Sequence, residues 1–186
     1  AAQQRLVQRR QALFPWVDEN TYLVAPDTTF EKEYTFEQGD LTFVVRHMGP
    51  AHAPGDSIML VKEPGVLFSG DVIYKGRIPF LDSPDTDVER WLEGLAYLDQ
   101  MEPAPRFIIP GHGEASDDVH EAISFTQGYL KYVREKMGEA AQNFVAFDEA
   151  YRNTDWSDYE DMPAFDASNR GNAYRIYLEM EARAFE

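Results

Sequence analysis

The sequence predicts an α+β fold, with a mainly antiparallel sheet and helices on the sheet's outer face, on three observations. Two pairs of short alternating apolar runs, each joined by a Gly-containing turn, occupy residues 33–47 and 57–69. Two longer amphipathic patterns follow at 85–101 and 116–137, with the apolar run Phe107-Ile108-Ile109 between them. A last helical pattern at about 169–185 makes the final third of the chain a helical extension.

Composition supports a folded core and narrows the function. Hydrophobic residues make up 44% and aromatic ones 13% of 186 residues, enough for one domain and unlike a disordered chain. The expected organisation is a single domain over 1–186, with the sheet, first long helix and candidate loops in 1–114 and the helical extension in 115–186. A formal net charge of −16 argues against nucleic acid and anionic membrane surfaces as partners, because phosphate binding needs a basic patch. There is no cysteine, so neither a disulfide framework nor a thiolate ligand exists and the redox compartment stays open. No apolar run approaches the length of a membrane span. A soluble protein, periplasmic or cytoplasmic, is expected.

Taken in order, residues 1–13 read as a helix closed by Pro15, with arginines on a solvated face. The stretch 14–30 is an irregular connection with a short strand at 22–24. Residues 33–36 and 41–47 form a hairpin around Gly39-Asp40, with Leu41, Phe43, Val45 and His47 on one face. A second pair, 57–61 and 66–69, flanks Glu63-Pro-Gly65. The helix at 85–101 opens on the capping box Thr86-Asp-Val-Glu89 and buries Val88, Trp91, Leu92, Leu95 and Leu98. The continuous run 107–109 is expected to be buried on both faces. The helix 116–137 starts at Asp117 and Asp118, turns Val119, Ile123, Thr126, Leu130, Val133 and Met137 inward, and is followed by a third helix over 139–151. Residues 155–166 form an acidic, aromatic loop. The last helix buries Ala173, Ile176, Tyr177, Met180 and Ala184, with Asn169 and Arg170 serving as its cap and surface charge.

The candidate chemistry lies in three loops. Gly49-Pro-Ala-His52-Ala-Pro-Gly55-Asp56, Phe68-Ser-Gly70-Asp71 and Pro110-Gly-His112-Gly113 each place one potential metal ligand directly after a strand-like run. Imidazole and carboxylate groups bind a divalent ion best when a rigid strand end holds them and small neighbours let the ion approach. His52, Asp71 and His112 are therefore candidate metal ligands; the competing reading is that the two histidines merely hydrogen-bond loop backbone. His47 is a core histidine or a support for the ligands, with a ligand as the competing reading. Asp56 either orients a ligand or caps a turn. Tyr74, Lys75 and Arg77 line a substrate mouth or form an ordinary loop. His120, in a helix beside Asp118 and Glu121, is solvated.

These three segments, in their order and separations, resemble the third, fourth and fifth motifs of the metallo-β-lactamase-fold hydrolases, with Ala53 where the family usually has Thr. Trp91-Leu-Glu-Gly-Leu95 and Asn169-Arg-Gly-Asn-Ala-Tyr174 look like a subgroup related to the sulfur-oxidation and quinoprotein-relay zinc hydrolases. The resemblance implies an αββα sandwich of which this chain is the C-terminal portion, and one or two zinc ions in the intact protein. It also implies that His52 completes the first zinc site, His112 the second, and Asp71, the catalytic carboxylate, sits between both or on the second. The substrate implied is a small molecule of the thioester, lactone or β-lactam type, attacked by metal-activated water. The family's His-x-His-x-Asp-His motif, expected upstream of His52, is absent from residues 1–51. The chain as given is accordingly expected to bind metal weakly and to be inactive. Two other readings remain: an iron-dependent persulfide dioxygenase-like enzyme, since His/Asp ligation does not separate zinc from iron, and a non-catalytic remnant acting as a binding module. The Phe43 face of the sheet, left without the family's second sheet, is expected to be covered by self-association or by a complementing N-terminal half.

Overall fold

The computed structural model of the protein describes residues 2–81, 83 and 85–184, so Ala1 and Phe185, included in expected helices, lie outside it. The chain forms two compact units, Ala1–Glu31 and Lys32–Glu186. In the first, α1 (Ala2–Ala12) ends where the Leu13 carbonyl accepts from the amides of Trp16 and Val17, at 2.7 and 3.1 Å. Arg10 Nη2 then donates to the Thr21 carbonyl at 2.6 Å, and Asp18 Oδ1 accepts from Asn20 N at 2.8 Å, closing an Asx turn. The strand expected at 22–24 does not form. Among the described residues no strand pairs with it, and extended backbone without a ladder partner leaves its N–H and C=O groups to other acceptors and donors.

The second unit is built on one five-stranded sheet in the order β1 (Glu33–Gln38), β2 (Leu41–His47), β3 (Ser57–Val61), β4 (Val66–Tyr74), β5 (Phe107–His112). The first four strands are antiparallel neighbours, and β5 adds parallel to β4 at the edge. Gly39 at φ 60° makes the tight β1–β2 turn. Alternation along the strands separates two apolar faces. Ile58, Leu60, Leu67 and Ile108 turn to one face and are buried in a core with Trp91 and Leu95 of α2 (Val88–Asp99) and Ile123, Leu130 and Val133 of α3 (Val119–Gln142). The other face carries Phe36, Phe43, Val45, Met59, Phe68 and Ile109, all half-buried. Strand 107–109 is thus not buried on both faces as expected: Ile108 is fully buried, whereas Phe107 is 36% exposed, because helices cover only one side.

The helices differ from the sequence reading at their ends. α2 is capped by Asp87, whose side chain accepts from Arg90 N at 3.0 Å, and not by Thr86, whose hydroxyl is used elsewhere. α3 is capped by Asp118 and extends to Gln142. The chain then turns through Phe144 at φ 55°, so the expected third helix is split between the end of α3 and α4 (Phe147–Asn153). α5 (Phe165–Ala184) starts earlier than expected. Asn169 is consequently inside the helix and fully buried rather than a cap, while Arg170 does lie at the surface, paired with Asp148. Ala173, Ile176 and Tyr177 are buried as expected; the side chain of Ala184 lies outside the described ones. His120 is exposed and paired with Asp99 at 2.6 Å.

Candidate functional site

His52 sits in the loop between β2 and β3, which is fastened at several points. Met48 N donates to the Asp56 carbonyl at 2.8 Å, and Ala53 N donates to Asp56 Oδ2 at 2.9 Å. The Thr86 hydroxyl donates to the His52 carbonyl at 2.8 Å, and Asp87 N to the Ala51 carbonyl at 3.3 Å. The ring is held as well: Nδ1 lies 2.7 Å from the Phe80 carbonyl. A carbonyl oxygen only accepts, so Nδ1 carries the proton and the Nε2 lone pair is left for an electrophile. Nε2 stands 3.9 Å from Asp71 Oδ2.

Asp71 follows Gly70, a left-handed residue at φ 52°, where the pairing of β4 with β5 shifts register between Phe68 and Gly70 and again before Tyr74. Such irregularities re-aim a side chain at the edge of a sheet. The carboxylate is half-exposed, and its other oxygen, Oδ1, lies 3.7 Å from His112 Nε2. Both spacings exceed hydrogen-bond length, so the carboxylate faces two imidazoles without being bonded to either. Small residues make the approach possible: a Cβ on Gly111 would collide with the Asp71 carboxylate and reach within 2.6 Å of the Gly70 carbonyl carbon.

His112, at the end of β5, stacks on Tyr74 at 4.9 Å with the planes 22° apart. Its Nδ1 lies 3.4 Å from Arg77 Nη1. Guanidinium is only a donor, so Nδ1 accepts here and the His112 proton sits on Nε2, the reverse of His52. Tyr74, fully buried, is the wall between the histidines, with the His52 ring edge-on at 6.2 Å. Its backbone is fixed by Thr126, whose hydroxyl accepts from Tyr74 N at 3.0 Å and donates to Tyr74 O at 3.1 Å. Behind His52 stands Trp91, 6.1 Å away, its Nε1 donating to the Val72 carbonyl at 2.8 Å.

The remaining candidates divide. Arg77 reaches His112 and lies over Phe80 at 5.3 Å; its Nε is buried and takes no hydrogen bond among the described residues. Asp56 braces the His52 loop, and burial pushes its carboxyl above the usual carboxylate range. His47 is apart from the cluster, its Nε2 2.9 Å from the Pro54 carbonyl. Lys75 turns to Glu121 at 3.0 Å. The sequence reading missed Phe80, which contributes a backbone carbonyl that no side-chain pattern reveals. It also misassigned Thr86, whose hydroxyl was expected to cap a helix.

Two imidazoles and a carboxylate around a glycine cradle have the donor chemistry of a borderline divalent ion. The two spacings made by Asp71, 3.9 and 3.7 Å, are slightly wider than the about 3.4 Å between ligand atoms of a tetrahedral ion, and among the described residues no three His, Cys, Asp or Glu side chains are spaced as a formed metal site. The donor types fit one incompletely held ion through His52, Asp71 and His112, and fall short of two.

A family model described as the metallo-beta-lactamase superfamily matches residues 3–112. Among solved structures, a metallo-beta-lactamase from Pontibacter korlensis is similar at 23% identity and a TM-score of 0.52 over 69% of this chain and 62% of its own. A metallo-beta-lactamase family protein from Thermus thermophilus is similar at 20% identity and a TM-score of 0.51, over 60% of this chain and 38% of its own. The metallo-beta-lactamase IND-7 is similar at 20% identity and a TM-score of 0.50, over 58% and 49%. The chain therefore spans less than two thirds of the length of each of these structures. Among the described residues no helix is long and apolar enough to cross a membrane.

Proposed function

The chain belongs to the metallo-beta-lactamase superfamily, and from that premise we propose that it carries part of the active site of a zinc-dependent hydrolase, with His52, Asp71 and His112 as metal ligands. The observation that carries this reading is the Asp71 carboxylate, whose two oxygens face the two imidazole Nε2 atoms at 3.9 and 3.7 Å. A bound zinc ion would supply Lewis acidity toward a carbonyl and lower the pKa of water toward neutrality, so no protein nucleophile is needed. The chain's own residues orient and exclude. Phe80 holds the His52 ring, Tyr74 and Trp91 close the site on the core side, and Arg77 offers a cation at the mouth, beside His112. Arg77 must release Nδ1 for His112 to present Nε2 as a lone pair, which makes the His112 half the one that rearranges on binding.

Substrates of the thioester, lactone or β-lactam type suit this chemistry, since each offers a carbonyl to polarise. The subgroup related to the sulfur-oxidation and quinoprotein-relay hydrolases is favoured by the motifs at 91–95 and 169–174. With three ligands for a site of two ions, the 186-residue chain should hold at best one ion weakly and turn over no substrate, because the water on that ion lacks the second Lewis acid. The half-buried apolar sheet face is proposed to be covered in solution by a second copy of the chain. Zinc calorimetry, elemental analysis after expression without added metal, and thioester and β-lactam assays beside a chain extended upstream test the reading. One weak zinc site abolished by His52→Ala is expected. Iron in the isolated protein, or zinc binding unaffected by His52→Ala, would overturn it, and a monodisperse monomer in light scattering would refute the self-association.

A further inference from the structure

Among the described residues the His52 ring is hydrogen-bonded through Nδ1 to the Phe80 carbonyl, and Phe80 belongs to neither strand nor helix. Something else must hold it, because a carbonyl in irregular chain is free to rotate with its peptide plane. The residues on either side of it are both tied to one side chain of α5. Asn172 Oδ1 accepts from Leu81 N at 3.0 Å, and Asn172 Nδ2 donates to the Pro79 carbonyl at 2.7 Å. One amide therefore clamps the segment before and after Phe80. Flipping it would set Oδ1 against the Pro79 carbonyl and Nδ2 against the Leu81 N–H, so the orientation is forced.

The clamp is itself braced in the core. Nδ2 of Asn172 also donates to the Tyr129 hydroxyl at 2.9 Å, which donates onward to Asn169 Oδ1 at 2.9 Å; Asn169 Nδ2 donates to the Tyr151 hydroxyl at 3.1 Å. Asn172, Tyr129 and Asn169 are all buried, where a fully satisfied polar network is stiff and an unpaired member is costly. Burial also raises the Tyr129 hydroxyl well above its ordinary pKa, so it stays a donor. One helical turn on, Arg175 Nη2 donates to the Thr86 carbonyl at 3.1 Å, and the Thr86 hydroxyl holds the His52 backbone. α5 thus reaches His52 by two routes, through its ring and through its main chain.

We infer that Asn172 is a positioning residue: by clamping Pro79 and Leu81 it fixes the Phe80 carbonyl against His52 Nδ1–H and so locks the imidazole with its Nε2 lone pair toward Asp71. The orientation stands on the geometry alone; its value for metal binding rests on the proposed ligand role of His52. Hydrogen-bond partners of this kind are worth on the order of 10–100-fold in metal affinity.

The test compares the full chain with Asn172→Ala and Tyr129→Phe. Ring-nitrogen NMR of His52 is recorded on the metal-free protein at one pH where the imidazole is neutral, and zinc alone is titrated by calorimetry. Wild type should show Nδ1 protonated and Nε2 bare. Asn172→Ala should show a mixture of the two tautomers and bind zinc about 10–100-fold more weakly. Tyr129→Phe keeps both arms of the clamp and should lose stability while leaving the tautomer largely in place, which separates positioning from mere support of the core. Should Asn172→Ala fail to fold, Asn172→Leu, which fills the same space but has neither arm of the clamp, carries the same prediction. A folded variant with His52 still fully Nδ1-protonated overturns the inference whether or not zinc binds through His52. A tautomer change in a chain that binds no zinc would sustain the inference and overturn the ligand reading instead.

Discussion

The two faces of the sheet are made from the same kinds of residue and have different fates. On one, Leu67 and Ile108 are fully buried beneath α2 and α3; on the other, Phe43 stacks on Phe36 at 4.8 Å but keeps part of its surface in water. Both faces belong to one ladder of strand pairs, so hydrogen bonding does not distinguish them. What differs is the supply of covering helices within residues 32–186. The teaching is that an apolar strand face states a demand for a partner and does not identify it. The candidate site lies at the ends of β4 and β5, where helix-covered core gives way to surface, which is why Tyr74 and Trp91 are fully buried there while Arg77 and His112 are only half-buried.

The largest expected effect is on the covered face. Leu67→Ala should cost about 2–5 kcal/mol, as large-to-small changes at fully buried sites do, measured as a lowered midpoint in urea unfolding. Phe43→Ala on the open face should cost only about 1 kcal/mol in dilute solution, the scale of one aromatic pair, with the loss growing with protein concentration if the face is used between copies. Equal losses at the two positions, independent of concentration, would mean that the faces are equally covered and would break the comparison.

The smallest effect concerns Asp56, a charge rather than an apolar group held half inside the rim. Burial raises its carboxyl pKa, so between the unfolded value of about 3.9 and the higher folded value the native state holds the proton more tightly than the unfolded chain. The stability it contributes is full below the unfolded pKa and lost as pH rises through the folded one. Asp56→Asn should flatten that slope, seen as a difference between variant and wild-type unfolding midpoints that changes with pH only in this acidic window. A slope of the opposite sign would show that the bond from Ala53 N at 2.9 Å outweighs desolvation.

Much of this was legible in the sequence because it is decided over short distances. Alternation of period two located β1 to β4, and helical periodicity located α2 and α3, since each pattern reports which side of a local element meets apolar neighbours. The loops bearing His52, Asp71 and His112 were legible for the same reason, small turn residues directly after apolar runs. Tertiary structure decided the rest. Thr86 and Asp87 are both competent helix caps; only the position of the His52 carbonyl gives Thr86 another acceptor and leaves the cap to Asp87. Asn169 reads as a helix start because polar amides are costly inside a core, yet Tyr129, remote in sequence, satisfies it there, as Pro79 and Leu81 satisfy Asn172. Local spacing determines which elements form and which residues can act, because those preferences are settled within a few residues. Which buried polar group has a partner, and which way an imidazole turns its lone pair, depends on atoms brought together from across the chain, and only the folded structure supplies them.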